Sequence, residues 1–244
     1  MRRPSSGFLV SWSLFLLFSV AVCPCAAADD EEATTDEHVV VTATRLEDKA
    51  VPKSDVPELD VGPGLTLLLG ANGAGKTTLL RLMAGVEQPD EGTVEIGGRN
   101  LWTDEVAARR ALAYVPEQPD LTPYATISEI LSLVARLRGE PVEAVSSALA
   151  AVGLTPLGKR TIRELSQGQR RRAVLCAAML GTPDVVLLDE PLESLDAEMR
   201  RSLLSWVAAA VERDATVIVS THTPALFEGM ATRALGMAEG RIVS

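Results

Sequence analysis

Between Leu65 and Thr77 an apolar run, LTLLL, passes directly into Gly70-Ala71-Asn72-Gly73-Ala74-Gly75-Lys76-Thr77. A short unbroken apolar run of this kind is the pattern of a strand buried on both faces of a parallel sheet. The residues after it satisfy G-x-x-x-x-G-K-[ST], and Lys76 to Ala84 reads as the helix that such a loop must open. The glycines let backbone N–H groups curl around phosphate oxygens, and the helix start adds the positive end of its dipole. Lys76 is expected on the terminal phosphates and Thr77 on a divalent cation, with Asn72, Ala74 and Thr78 completing the cradle. Average composition gives roughly one chance match in a hundred chains of this length. A parallel α/β fold is therefore the first expectation.

Two further strand-like runs agree with it. Asp184 to Glu190, DVVLLDE, ends in two carboxylates. Asp189 at the strand end suits Mg²⁺, and Glu190, one residue on, suits a general base. The other reading of such a pair, a helix N-cap, loses weight beside a phosphate-type loop. Ala215 to Ser220, ATVIVS, is followed by Thr221-His222, placing His222 at the strand end where parallel sheets bind ligands. Loop and carboxylates together resemble the P-loop NTPases. The 244 residues suffice for one large α/β domain, with 47% hydrophobic residues to fill its core. A formal charge of −10 disfavours a nucleic-acid partner, and 4% aromatics leave few stacking platforms. Cys23, Cys25 and Cys176 imply no disulfide framework.

Leu165 to Gln169, LSQGQ, resembles the LSGGQ signature of the ABC ATPases, and lies just upstream of the second strand as in that family. Ser166 and Gly168 at a helix start offer a hydroxyl and bare N–H groups to a phosphate. On this resemblance, Ser166, Gln167, Gly168 and Gln169 form the signature and Ser194 and Asp196 belong to the D-loop. His222 is then the switch histidine, and Tyr114 to Glu117 lead into the Q-loop. The resemblance implies an ATPase that uses ATP and Mg²⁺, paired head to tail with a second ATPase subunit and driving membrane permease subunits. The implied fold is α/β, with a central mostly parallel sheet, a helical subdomain over residues 118–165 and a truncated antiparallel β-subdomain. The sequence departs from the family at three points. Glu117, with Gln118 beside it, stands where a glutamine is usual, and Gln167 replaces a glycine. No aromatic residue lies between Phe18 and Trp102 to stack on adenine, a contact worth about 1–3 kcal/mol. Strand Thr93–Ile96 is accordingly expected to lack a partner and leave an exposed edge. Tyr124 and Trp102 read as packing residues. The short cassette and Glu117 suggest an exporter-type subunit.

The first 60 residues read differently. Residues 1–28 have the basic start, apolar run and Ala-rich end of a secretory signal peptide. Residues 29–60 read as an acidic, flexible linker in which Val39 to Arg45 could form a short strand. That stretch, VVVTATR, resembles the N-terminal box of TonB-dependent receptors. The cassette, residues 61–244, belongs on the cytoplasmic face of the inner membrane, with which a leader conflicts. The alternative is an exported receptor-type fragment, or a chimera whose cassette binds nucleotide poorly.

Overall fold

The computed structural model describes residues 39–43, 58–119 and 121–243. Their strands form two sheets. The larger has six, β3 (Gly64–Leu69), β6 (Leu112–Val115), β7 (Val185–Asp189), β8 (Thr216–Ser220), β9 (Ala231–Ala238) and β10 (Arg241–Val243). Their spatial order is β10-β9-β3-β8-β7-β6, parallel throughout except for the β9–β10 hairpin. The apolar runs of β7 and β8 are buried at every position, as strands covered on both faces must be.

The smaller sheet is antiparallel, in the order β2 (Glu58–Val61), β1 (Val39–Ala43), β4 (Gly92–Ile96), β5 (Arg99–Asn100). Residues expected in a linker thus supply its centre, and the expectation that Thr93–Ile96 would stand unpaired is corrected. The reason lies in strand alternation. Val39 sits opposite both Val61 and Ile96, and Val41 opposite Leu59 and Val94, so one face carries two apolar ladders. Val39, Val61 and Val94 are fully buried there. The expected leader and residues 44–57 lie outside the described residues.

Helix α1 (Lys76–Met83) lies between the two sheets, with Leu80 and Met83 buried in the cluster that holds Val39, Val94, Leu187 and Ile218. Helix α2 (Glu105–Arg110) leads into β6. The other face of the large sheet is covered by α3 (Ile127–Arg138), α4 (Ala144–Ala151), α5 (Gln167–Met179) and α6 (Ala197–Glu212). The Thr126/Glu129 capping box read from the sequence forms: Thr126 Oγ1 accepts from Glu129 N at 3.2 Å, and Glu129 Oε2 from Thr126 N at 2.8 Å. Trp102 packs as expected, under the Arg109 guanidinium. Tyr124 does not; it is 73% exposed, with Arg163 over its ring.

Candidate functional site

Parallel pairing brings three chain ends to one edge of the large sheet. Leu68 of β3 pairs with Ser220 of β8, and Ser220 with Asp189 of β7. The Gly70–Thr77 loop, the Asp189-Glu190 pair and Thr221-His222 therefore emerge side by side, each from the C-terminal end of its strand.

Loop shape follows from its glycines. Gly75, at φ 101°, caps α1 from the left-handed region that residues with a Cβ rarely adopt. A Cβ on Gly70 would come within 2.3 Å of the Met237 carbonyl oxygen of β9, so only glycine lets the loop pass there. Gly240 N donates to Ala74 O at 2.9 Å, bracing the loop from the β9–β10 turn. Asn72, Gly73 and Thr78 face solvent and Thr77 is half-buried. The Lys76 side chain folds back over the loop, Nζ donating to Gly70 O at 2.8 Å and Ala71 O at 3.2 Å.

Asp189 is 1% exposed. Its Oδ1 accepts from Ser220 Oγ at 2.5 Å, while its Oδ2 is buried without a hydrogen-bond partner. A buried carboxyl oxygen left so is costly, and is suited to a cation. Thr77 and Asp189 therefore fit Mg²⁺, which characteristically takes one or two protein ligands beside substrate phosphates. Among the described residues no three His, Cys, Asp or Glu side chains gather into a protein-only cage.

Glu190 holds φ 44°, left-handed for a residue with a side chain. Its N–H is anchored on Ser220 O and Ser220 Oγ, at 3.2 and 3.0 Å. The carboxylate is turned toward His222: Oε2 accepts from the main-chain N–H at 3.1 Å. Oε1 lies 3.2 Å from Nε2, without the alignment of a hydrogen bond. Burial raises the Glu190 pKa; the His222 N–H, the imidazole and Lys76 pull it down, and Glu193 adds to the rise.

The signature residues lie elsewhere, at the start of α5. Ser166 caps that helix, its Oγ accepting from Gln169 N at 3.3 Å while Gln169 Oε1 accepts from Ser166 N at 3.0 Å. The Ser166 hydroxyl proton stays free to donate outward. Gln167 is exposed, and a Cβ on Gly168 would meet only Ser194 O, 4.0 Å away. Ser194 holds φ 58° in an exposed turn. Asp196 caps α6, accepting from Met199 N at 2.9 Å, and pairs with Arg172. That N–H bond comes first in holding the Asp196 pKa low, with Arg172 adding to it. Glu117 and Gln118 are both exposed, following β6. Among the described residues, no hydrogen bond or ion pair joins Ser166–Gln169 to the Gly70–Thr77 loop.

Two site residues escaped the sequence reading. Ser220 binds both Asp189 and Glu190, but as the last residue of an apolar strand it carries no motif. Arg171, 3% exposed, donates to main-chain carbonyls of Pro116, Glu117, Asp189 and Glu190. In sequence it is one of three consecutive arginines, with nothing to mark it as the buried one.

The chain is similar to known proteins over most of its length. The family model described as ABC transporter matches residues 57–193. A phosphonates import ATP-binding protein of Natronomonas pharaonis is 41% identical over 186 residues, 73% of this chain and 80% of that protein. A sulfate/thiosulfate import ATP-binding protein of Mycobacterium bovis is 34% identical over 84% of this chain, which spans 59% of that protein. A cytochrome c biogenesis ATP-binding export protein of Cupriavidus necator is 39% identical over 72% of this chain and 78% of its own. The solved structure of the ATP-binding subunit of an ABC transporter shares the fold, with a TM-score of 0.74 at 24% identity over 84% of this chain and 88% of that one. The chain belongs to the ABC transporter family, as an ATP-binding ATPase domain.

Proposed function

We propose that this chain is the ATP-hydrolysing subunit of a membrane transporter, working as a head-to-tail pair with a second such subunit on the cytoplasmic face, where ATP is found. The observation that carries this reading is the Asp189-Glu190 pair. It is anchored by Ser220 and faces His222 on the sheet edge that also bears the Lys76 loop. A triphosphate entering the loop competes for the Lys76 amine, which donates to loop carbonyls. Thr77 and Asp189 would hold Mg²⁺, which when bound neutralises phosphate charge. Glu190 takes a proton from a water whose oxygen attacks the γ-phosphorus, while the bond to the β–γ bridging oxygen breaks and ADP leaves. Its raised pKa makes it the stronger proton acceptor. His222 holds the carboxylate in place through its main-chain N–H. Ser166 and Gly168 are left to engage the nucleotide on the second subunit, since within one chain they stand apart from the loop.

Direction of transport follows from the membrane partner, which would be a permease. Two of the relatives above are named for import and one for export, so import is the direction they favour over the exporter type expected from Glu117 and chain length. The test is Mg-dependent ATP hydrolysis by the full chain. Glu190→Gln is expected to lower the rate by at least about 100-fold, in line with loss of a general base. Hydrolysis persisting at the wild-type rate in that variant would remove Glu190 from this role.

A further inference from the structure

Arg171 lies one turn into α5, the helix whose start is the LSQGQ segment, and its side chain is buried in the protein. Nη2 donates to Asp189 O at 3.1 Å and Glu190 O at 2.7 Å. Nη1 donates to Glu117 O at 2.5 Å and to Pro116 O. One guanidinium thus bridges the end of β7 to the segment after β6, with only 3% of the residue exposed. The bridged peptides are not ordinary ones. Glu190 is held at φ 44°, a conformation that persists only when its surroundings over-determine it. Ser220 holds the N–H of Glu190 and Arg171 its carbonyl oxygen, one on each side of the strained Cα. Burial lowers the Arg171 pKa, and the charges of Asp189, Glu193, Glu117 and Glu190 oppose that shift.

We propose that Arg171 is the positioning residue for hydrolysis: it locks the Asp189–Glu190 backbone in its left-handed turn and ties both carboxylates to the signature helix and to the Glu117 segment. This rests on the role given to Glu190 above. Ser166–Gln169 and Arg171 share one rigid helix start, closed by the Ser166/Gln169 box. Displacement of the signature therefore reaches the carbonyls of Asp189 and Glu190 without passing through a flexible loop. A lysine cannot reproduce the link, because an ammonium is a compact point donor where the planar guanidinium spans both pairs of carbonyls.

The experiment compares steady-state Mg-ATP hydrolysis by the full chain with Arg171→Lys, Arg171→Met and Glu190→Gln. A misplacement of the catalytic groups by about 1 Å costs on the order of 100-fold in rate. Arg171→Lys is expected to lower kcat about 10- to 100-fold with KM for ATP within about threefold of wild type, because the Lys76 loop is untouched. A merely structural arginine would move kcat and KM together, or neither. Amide exchange gives a second readout: faster exchange at Glu117, Gln118, Asp189 and Glu190 in Arg171→Lys, with 70–77 unchanged. Wild-type kcat in Arg171→Lys, or a KM that rises as kcat falls, overturns the proposal, and so does unchanged exchange in those segments. Should Arg171→Met fail to fold, Arg171→Lys decides alone. If Glu190→Gln hydrolyses ATP at the wild-type rate, the reading of Glu190 fails. If Glu190→Gln is inactive while both Arg171 variants turn over normally, only Arg171 loses its role.

Discussion

Glu190 shows how burial shapes a single side chain's chemistry and stability together. Desolvation lifts its pKa above the ordinary 4.5, outweighing the opposite pull of His222 and Lys76. A group whose pKa is higher folded than unfolded adds stability only while protonated, and that contribution disappears as pH rises through the folded value. At neutral pH the ionised Glu190 is therefore a liability to the fold, of the kind common at functional sites. Glu190→Gln keeps the side chain's shape and removes the charge. It should melt at a higher temperature than wild type at about pH 7.5, and the gap should narrow as pH falls through the raised folded value and close below 4.5, where both states hold the proton. Thermal melts across that range check it; a variant less stable at pH 7.5 would mean that the His222 and Lys76 contacts outweigh burial. Asp189 was as legible in the sequence as Glu190, because both end an apolar strand. Ser220 and Arg171 were not, because what marks them is which carbonyls and carboxylates they meet.

At the scale of the element, β1 is the instructive case. Its β-branched run could be read as a strand, yet nothing local names its partners. The structure sets it between β2 and β4, where Val39 and Val41 close the apolar face above α1. Val39→Ala removes two methyl-sized groups from a fully buried site, which costs about 2 kcal/mol at roughly 0.8 kcal/mol per group plus a cavity term. A chain beginning at Glu58 should fare worse, melting at a clearly lower temperature or aggregating through the unpaired edge of β4. Denaturant melts of both decide whether β1 belongs to the cassette; a truncated chain as stable as the full one would show that it does not. The helices behave more simply. Capping residues lie within three positions of one another, so Thr126/Glu129 could be read directly from the chain.

For the molecule as a whole, the proposed head-to-tail pairing sets the testable consequence. The Lys76 loop and the Asp189-Glu190 pair share one sheet edge, whereas Ser166 and Gly168 open outward on α5 beside Ser194. A second chain, reversed, can bring its α5 start to the first chain's nucleotide. With hydrolysis blocked, Glu190→Gln should double its mass in Mg-ATP and return to the single-chain mass when nucleotide is removed. Sedimentation measures this, and a single-chain mass in saturating Mg-ATP would exclude the paired arrangement.

The sequence alone determined the Gly70–Thr77 loop, the Asp189-Glu190 pair, the LSQGQ segment and a parallel α/β fold. All of these are written in contiguous residues or in the period of apolar runs, where local sterics and burial leave little choice. Only the tertiary structure decided that residues 39–43 complete a sheet, that Ser220 anchors the two carboxylates, and that Arg171 alone of three neighbouring arginines is buried among carbonyls. Those outcomes depend on partners 16 to 57 residues away, and a pairing across such distances leaves no periodicity in the chain that makes it.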